Sequence, residues 1–391
     1  MNFDFTEEQK GFREEVRSFL KAEIKQGTFV PKLNAYMEGF SKQFSKKMAE
    51  KGWIGLTWPK EYGGLGKGYM ERTILLEQLM KVEAPFSYHF VGERQIAPAL
   101  MGHGTDEQKQ EFLPRILNAD ISFCLLFSEP DAGSDLAAVR TTAIEDGDYY
   151  IVNGQKTWTS LGHLTDYGWL LARTADPAVL KHQALSEFIV DMKAPGVAVE
   201  PVINSAGAHS FNDVFFDNVK IPANRLVGKR NGGFKQIMEQ VVFERAGLDR
   251  LMANYICKEL IFDYAKTTKR NGRYLWEDSR VRDTIATIEI KYNIGRNLCY
   301  YVAWLLDQGK IPNAEASICK TFCSEFEKKL SDVTTEIMGL YGQLLPGCER
   351  APYEGVAAES YLWSPSYTLQ GGAVEILKNI IALRGLNLRT Q

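Results

Sequence analysis

The sequence predicts an α+β chain: an N-terminal helical domain, a central antiparallel β-barrel-like domain and a C-terminal four-helix bundle. Two observations carry this. Apolar residues recur at intervals of three and four through residues 1–120 and again through 231–391. Between them, residues 121–230 carry short alternating runs punctuated by Asp146-Gly147 and Asn153-Gly154, dipeptides that favour hairpin turns. Domains are therefore expected at 1–120, 121–230 and 231–391.

Taken in order, Thr6-Glu7-Glu8-Gln9 is a capping box followed by Phe12, Val16, Phe19 and Leu20 at helical spacing. Further helices are expected over 39–51, 69–81, 96–101 and 105–117, with the segment TWPKEYGGLGKG at 57–68 as loop. Strands are expected at 149–152, 167–173, 187–191, 197–202 and 213–219. One long helical pattern then covers 234–268, and others cover 281–307, 314–338 and 374–383. Pro and Gly between Leu344 and Pro365 mark loops.

Composition excludes several classes. The chain has 391 residues, 45% hydrophobic and 24% charged, with a formal net charge of −3 and thinly spread basic residues, so no nucleic-acid surface is expected. A phosphate-bearing ligand must then be met by local groups. No apolar run approaches the ~18 residues of a membrane span, and MNFDFTEEQKGFREEV lacks an apolar signal region. Six cysteines are scattered; Cys319 and Cys323, four apart, share a helical face and form no C-x-x-C pair. Reduced core thiols in a cytoplasmic protein are expected, and the five histidines show no H-x-x-x-H spacing, so no metal site is expected.

Two stretches frame the β region. CLLFSEPDAGSD at Cys124–Asp135 ends an apolar run in a turn whose backbone N–H groups face outward, and NGQKTWTSLG at Asn153–Gly162 follows one β excursion later. Either alone reads equally well as a strand-to-loop junction. Together, and with HGTDEQKQEFLPRI at 103–116, FNDVFFDNVKIPANRLVG at 211–228 and GGAVEILKNIIALRGL at 371–386, they resemble the acyl-CoA dehydrogenase family over essentially the whole chain.

The resemblance implies FAD and an acyl-CoA thioester as cofactor and substrate, a homotetramer with a heterotetramer as alternative, and electron-transfer flavoprotein as acceptor. It implies that Phe127 and Ser128 contact the isoalloxazine edge, that Gly133 and Ser134 lie where the flavin phosphate and the start of the CoA chain pass, and that Trp158 and Ser160 lie by the ring and its N5 side. Arg270 in KTTKRNGR matches an arginine that reaches a neighbouring subunit's FAD diphosphate, and Gly339 matches an accompanying glycine turn. Glu336 departs from the family, which has an uncharged glutamine there. Read without the family, Trp158 is also a plausible core residue and Lys266–Arg273 a solvated basic cluster.

The chemistry needs a carboxylate for the α-proton, and donors for the thioester oxygen as charge develops. Many family members place the acid just before the final helix. That position is Gly371 here, or Gln370 after a one-residue shift, and neither accepts a proton. Gly371 retains a backbone N–H for the thioester oxygen. A minority of the family carries the base on the helix after the β domain. There Ile237, Val241, Glu244, Leu248, Leu251 and Tyr255 fall on one stripe, with Glu244 its single acid. Glu244 is the expected base, an interface or salt-bridged glutamate the alternative, and Arg245 matches an arginine near the CoA mouth.

In the family the segment FSYHFVGERQIAPAL at 86–100 lines the acyl pocket. Tyr88, His89, Glu93, Arg94 and Gln95 make it unusually polar and aromatic, which suits a branched, cyclic, aromatic or carboxylated acyl group, with Tyr88 and Arg94 as substrate contacts. A solvent-facing Glu93 and Arg94 is the competing reading. The GG-A-V ending also resembles bacterial members acting on ring or steroid-derived acyl groups. An acyl-CoA oxidase on the same scaffold and a non-catalytic subunit of a heteromeric complex are the functional alternatives. Retention of Glu244, Trp158 and Arg270 together speaks against the latter.

Overall fold

The computed structural model describes residues 4–176, 178–245 and 247–388, the side chains of 240–245 excepted. Contacts divide the chain into two compact units, one of Met1–Tyr36, Gly68–Ala84 and Arg245–Gln391, the other of Met37–Lys67 and Pro85–Glu244.

The second unit is built on an eight-stranded sheet: β1 Phe123–Leu126, β2 Thr142–Asp146, β3 Tyr149–Ser160, β4 Tyr167–Arg173, β5 Leu185–Asp191, β6 Val197–Val202, β7 Phe211–Pro222 and β8 Leu226–Val227. Its order is β6-β7-β3-β2-β4-β5-β8, with β1 pairing β4 off this path. Pairing is antiparallel except that β4 runs parallel to β1 and, at one register position, to β2. One face buries Leu126, Val152, Leu170, Phe188, Val214 and Ile221. Another cluster, of Trp58, Leu100, Phe112, Phe123, Trp169 and Ile189, packs the helices of this unit against β1, β4 and β5.

The two expected turns came out differently. Asp146 pairs with Tyr149 across a two-residue hairpin in which Gly147 has φ +59°. Asn153-Gly154, however, does not turn: β3 continues to Ser160, and the register against β7 shifts between Val152 and Gly154. The dipeptide is a β-bulge. A Cβ on Gly154 would lie 2.5 Å from Thr141 Oγ1, so glycine is required by close approach of the chain.

The first unit holds the long helices Ser279–Asp307 and Asn313–Met338, with Glu7–Lys25, Tyr69–Lys81, Tyr255–Thr267 and Val356–Tyr367. Thr6 and Gln9 exchange the two hydrogen bonds of the expected capping box. The helix Val356–Tyr367 runs through Pro365, where the proline pattern predicts loop. Pro365 cannot donate to the Tyr361 carbonyl, and the Ser364 hydroxyl donates to it instead at 2.9 Å.

The pattern over 234–268 is not one helix either. A helix spans Gly233–Arg245, a 3₁₀ turn Leu248–Arg250 and a second helix Tyr255–Thr267. Gly247 takes an extended conformation, φ −92° and ψ 149°, and interrupts the ladder. Leu248, Leu251 and Tyr255 therefore do not share a helix with Glu244, and the expected single stripe is corrected.

Asn254, at the start of the second helix, is held by a buried network. Its backbone N–H and Nδ2 donate to Glu327 Oε2 at 2.9 and 2.7 Å, and its Oδ1 accepts from Ser360 at 2.9 Å and from Tyr367 at 3.3 Å. Burial pushes the Glu327 carboxyl well above the ordinary carboxylate value of 4.5. Glu83 is raised likewise, by burial first; ionisation of Glu327 would raise it further.

An acid that keeps its proton when folded but loses it above 4.5 when unfolded makes stability fall as pH rises past 4.5, toward the raised folded value. Glu327→Gln is expected to reduce that slope by up to ~1.4 kcal/mol per pH unit. Denaturant titrations at about pH 5, 6 and 7 measure it, and a slope equal to that of the parent protein refutes the protonated assignment.

Candidate active site

In the sheet unit, β1 leads straight into Phe127, Ser128 and the turn that follows. Glu129 and Ala132 exchange backbone hydrogen bonds across that turn at 2.9 and 3.0 Å, with Pro130 and Asp131 at its tip and Gly133 and Ser134 exposed just after it. Nothing lies within 4 Å of a Cβ built on Gly133, so this stretch is open.

The turn is fastened from β3. Lys156 Nζ donates to Glu129 Oε1 at 2.7 Å and to the Phe127 carbonyl at 3.1 Å, and Thr157 N–H donates to the Ser128 carbonyl at 2.9 Å. Glu129 also accepts from the backbone N–H groups of Arg140 and Thr141 at 2.6 and 2.9 Å. Burial draws the Lys156 ammonium down to about 8, with Glu129 opposing. Burial works against ionisation of Glu129 too, but Lys156 and the N–H donors outweigh it and hold the carboxyl below its ordinary value. The pair is therefore ionised at neutral pH.

Beyond Lys156 the strand bulges again, between Lys156 and Thr159. Trp158 there has φ +57° and is 60% exposed, with only an edge contact to Phe211 at 5.6 Å between centroids. It is not a core residue. Ser160 pairs with Phe211 at the end of the strand. Phe127, Ser128, Trp158 and Ser160 are thus gathered where β1 and β3 end, with the open Gly133-Ser134 stretch following the turn after β1.

The Gly233–Arg245 helix starts against β5. A Cβ on Gly233 would lie 2.9 Å from Ser186 Cα, and Gln236 Nε2 donates to Glu187 Oε2 at 2.7 Å. Glu244 and Arg245 are its last two residues; their side chains lie outside the described residues.

Three further expected residues fall in the helical unit. Arg270 stands in a two-residue hairpin with Asn271 and Gly272 at φ +53° and +79°, and its Nη2 donates to the Ile337 carbonyl at 2.9 Å. A Cβ on Gly339 would lie 3.2 Å from that same nitrogen, so the two residues are brought together from 69 positions apart. Glu336 is exposed, with Lys329 Nζ at 4.0 Å. Gly371 and Gly372 have φ +63° and +102° in the loop before the helix Val374–Ile380. Buried Lys320 donates to the Tyr367 carbonyl at 3.0 Å and holds the start of that loop.

The polar segment after Phe86 contains a π turn, Gly92–Ile96, between helices Ser87–Val91 and Ala97–His103. Glu93 and Arg94 are buried, so neither points to solvent. Arg94 lies over the Phe90 ring at 5.0 Å, and the Trp58 indole donates to the Glu93 carbonyl at 3.2 Å. Tyr88 is buried too, its hydroxyl donating to the Asp120 carbonyl at 3.0 Å.

In the sheet unit the open stretch after the turn and the exposed Trp158 suit a flavin ring; in the helical unit the Arg270 guanidinium beside Gly339 suits a diphosphate. Glu129 and Lys156, the buried pair that fastens the turn, are the residues the sequence reading passed over, although both stand inside its two motifs. Comparisons with known proteins bear on the family. Family models described as the N-terminal, middle and C-terminal domains of acyl-CoA dehydrogenase match residues 6–120, 124–219 and 231–386. The acyl-CoA dehydrogenase FadE29 of Mycobacterium tuberculosis is 32% identical over 99% of both chains. The 3-(aryl)acrylate reductase of Clostridium sporogenes is 30% identical over 87% of this chain and 90% of its own. Among solved structures, the Tcur3481-Tcur3483 steroid ACAD superposes with a TM-score of 0.89 at 30% identity over all of both chains. The ChsE4-ChsE5 complex from Mycobacterium tuberculosis superposes at 0.86 with 32% identity, again over all of both chains.

Lys156→Met strands the Glu129 carboxylate in the interior. It is expected to cost about 3–5 kcal/mol of stability and to release FAD. Denaturation midpoint and bound flavin per chain measure the two effects. A variant that keeps both refutes the anchoring role. The Glu129 contribution holds above pH 4.5 and is lost as pH falls below it, because its folded value is depressed.

Proposed function

The chain belongs to the acyl-CoA dehydrogenase family, and from that premise we propose which residues carry out its α,β-dehydrogenation of an acyl-CoA thioester. FAD is the cofactor and supplies a hydride acceptor when bound.

Glu244 takes the α-proton. The observation that carries this is the loop before the final helix, which has no acid and places glycines at φ +63° and +102° where many relatives have their base. Glu244 is in the last turn of its helix. Gly371 offers its backbone N–H to the thioester oxygen. Phe127, Ser128, Trp158 and Ser160 hold the flavin ring, Gly133 and Ser134 its phosphate and the CoA chain, and Arg245 the CoA mouth. Arg270 and Gly339, both in the last of three structural domains at 1–120, 121–230 and 231–391, meet the FAD diphosphate of a neighbouring subunit. The assembly is a homotetramer; the two-protein titles of the similar structures favour a second reading, pairing with a related but different chain. A relative named as a subunit of the caffeyl-CoA reductase-Etf complex, 29% identical over 87% of this chain, supports an electron-transfer flavoprotein as acceptor.

The acyl group carries a ring. A polar, aromatic segment with Arg94 over Phe90 and with Tyr88 suits a rigid cyclic or aromatic group better than a plain fatty chain. The steroid and aryl-acrylate names of relatives support the same reading.

Glu244→Gln with FAD still bound is expected to slow anaerobic flavin reduction by at least about a hundredfold. A rate within about tenfold of the parent, ~1.4 kcal/mol of barrier, sinks the assignment. Ring-bearing acyl-CoA esters are expected to bleach the flavin faster than straight-chain butyryl to palmitoyl esters; the reverse order discards the ring.

A further inference from the structure

The cysteines that look scattered in sequence meet in the helical unit. Cys299 comes from the helix Ser279–Asp307, and Cys319 and Cys323 come from successive turns of the helix Asn313–Met338. All three are buried, and each Sγ is 3.5–4.0 Å from the others: 3.5 Å for Cys299–Cys319 and 4.0 Å for both pairs with Cys323. A circle through the three sulfurs has a radius of about 2.2 Å. Metal–thiolate bonds are about 2.3 Å long. An ion at the centre of the triangle meets all three sulfurs at bonding distance without any helix moving.

Gly295 lies one turn before Cys299, and a Cβ there would lie 2.5 Å from Leu251 Cδ1, so glycine leaves room for Leu251 to pack on that helix.

The donor set selects the ion. Among the described residues the group consists of these three sulfurs, with no histidine or carboxylate as a fourth member. A structural zinc site takes four ligands, and burial withholds water as a substitute. Soft thiolates without oxygen or nitrogen partners favour Cu(I), which accepts three-coordination. We propose that Cys299, Cys319 and Cys323 form a trigonal site for Cu(I) that clips the two longest helices of the bundle together. The ion enters and stays as Cu(I); no electron moves, and each thiol that binds as thiolate releases its proton to solvent.

The test uses the FAD-loaded full chain, anaerobic and with thiols reduced, titrated with Cu(I) against bicinchoninate. The expected result is one copper per chain held against the chelator, a raised denaturation midpoint, and an X-ray absorption spectrum with three sulfur neighbours at about 2.2–2.3 Å. Cys299→Ser, Cys319→Ser and Cys323→Ser each weaken retention at least about tenfold, and Cys348→Ser, at the exposed free cysteine, leaves it unchanged. The proposal is overturned if no copper is retained, if Cys348→Ser is the change that loses it, or if the spectrum gives two sulfurs. Bound flavin reports whether each serine variant is folded, and the spectrum of the parent protein decides the coordination even where a variant is not.

Discussion

The pair of Lys156 and Glu129 is the constraint on which the turn after β1 and the end of β3 depend. Two charges are held in the interior of the sheet unit, and neither is left short of partners: the ammonium reaches a carboxylate and a carbonyl, and the carboxylate reaches two backbone N–H groups as well. Such a pair adds little net energy compared with a packed apolar core, but removing one member strands the other. It contributes geometry. One lysine fixes where the chain leaves β1, where the turn at 129–132 closes, and how β3 passes both.

That anchoring explains a local oddity downstream. Trp158 is a bulky residue in the left-handed region, a conformation that costs about 1–3 kcal/mol and persists only where its surroundings enforce it. Lys156 is fixed on one side and the Thr159–Asn212 pairing resumes on the other, so the two residues between must bulge and turn the indole outward. The exposed face of Trp158 is thus a consequence of buried electrostatics two residues earlier.

A comparable division of labour holds in the helical unit. Glu327 and Asn254 set the start of the helix Tyr255–Thr267, while Gly247 ends the continuity of the preceding segment. Glu244 therefore stands at the end of a helix and not in the middle of a longer one. The loop at 368–372 is shaped by glycine at two successive positive φ angles, and a carboxylate-bearing residue at Gly371 would meet that strain.

Much of this was legible in the residues. Amphipathic period, the capping box at Thr6, and alternation in the β region are local properties, so the element order and the family motifs could be read directly. Boundaries failed where a particular side chain, near or far, overrode the local composition. Asn153-Gly154 carries a turn's composition, yet Thr141 presses on Gly154 and β7 pairs past it, so it became a bulge. Pro365 carries a breaker's composition, yet Ser364 takes over the carbonyl it strands. The sequence by itself determined the order of elements, the cofactor class and the missing acid before the final helix, because each is written in contiguous residues. Only the tertiary structure decided that Glu129 finds Lys156, that Arg270 lies beside Gly339, and that Cys299 joins Cys319 and Cys323, because those pairings depend on helix and strand packing across tens of residues, which no local period encodes.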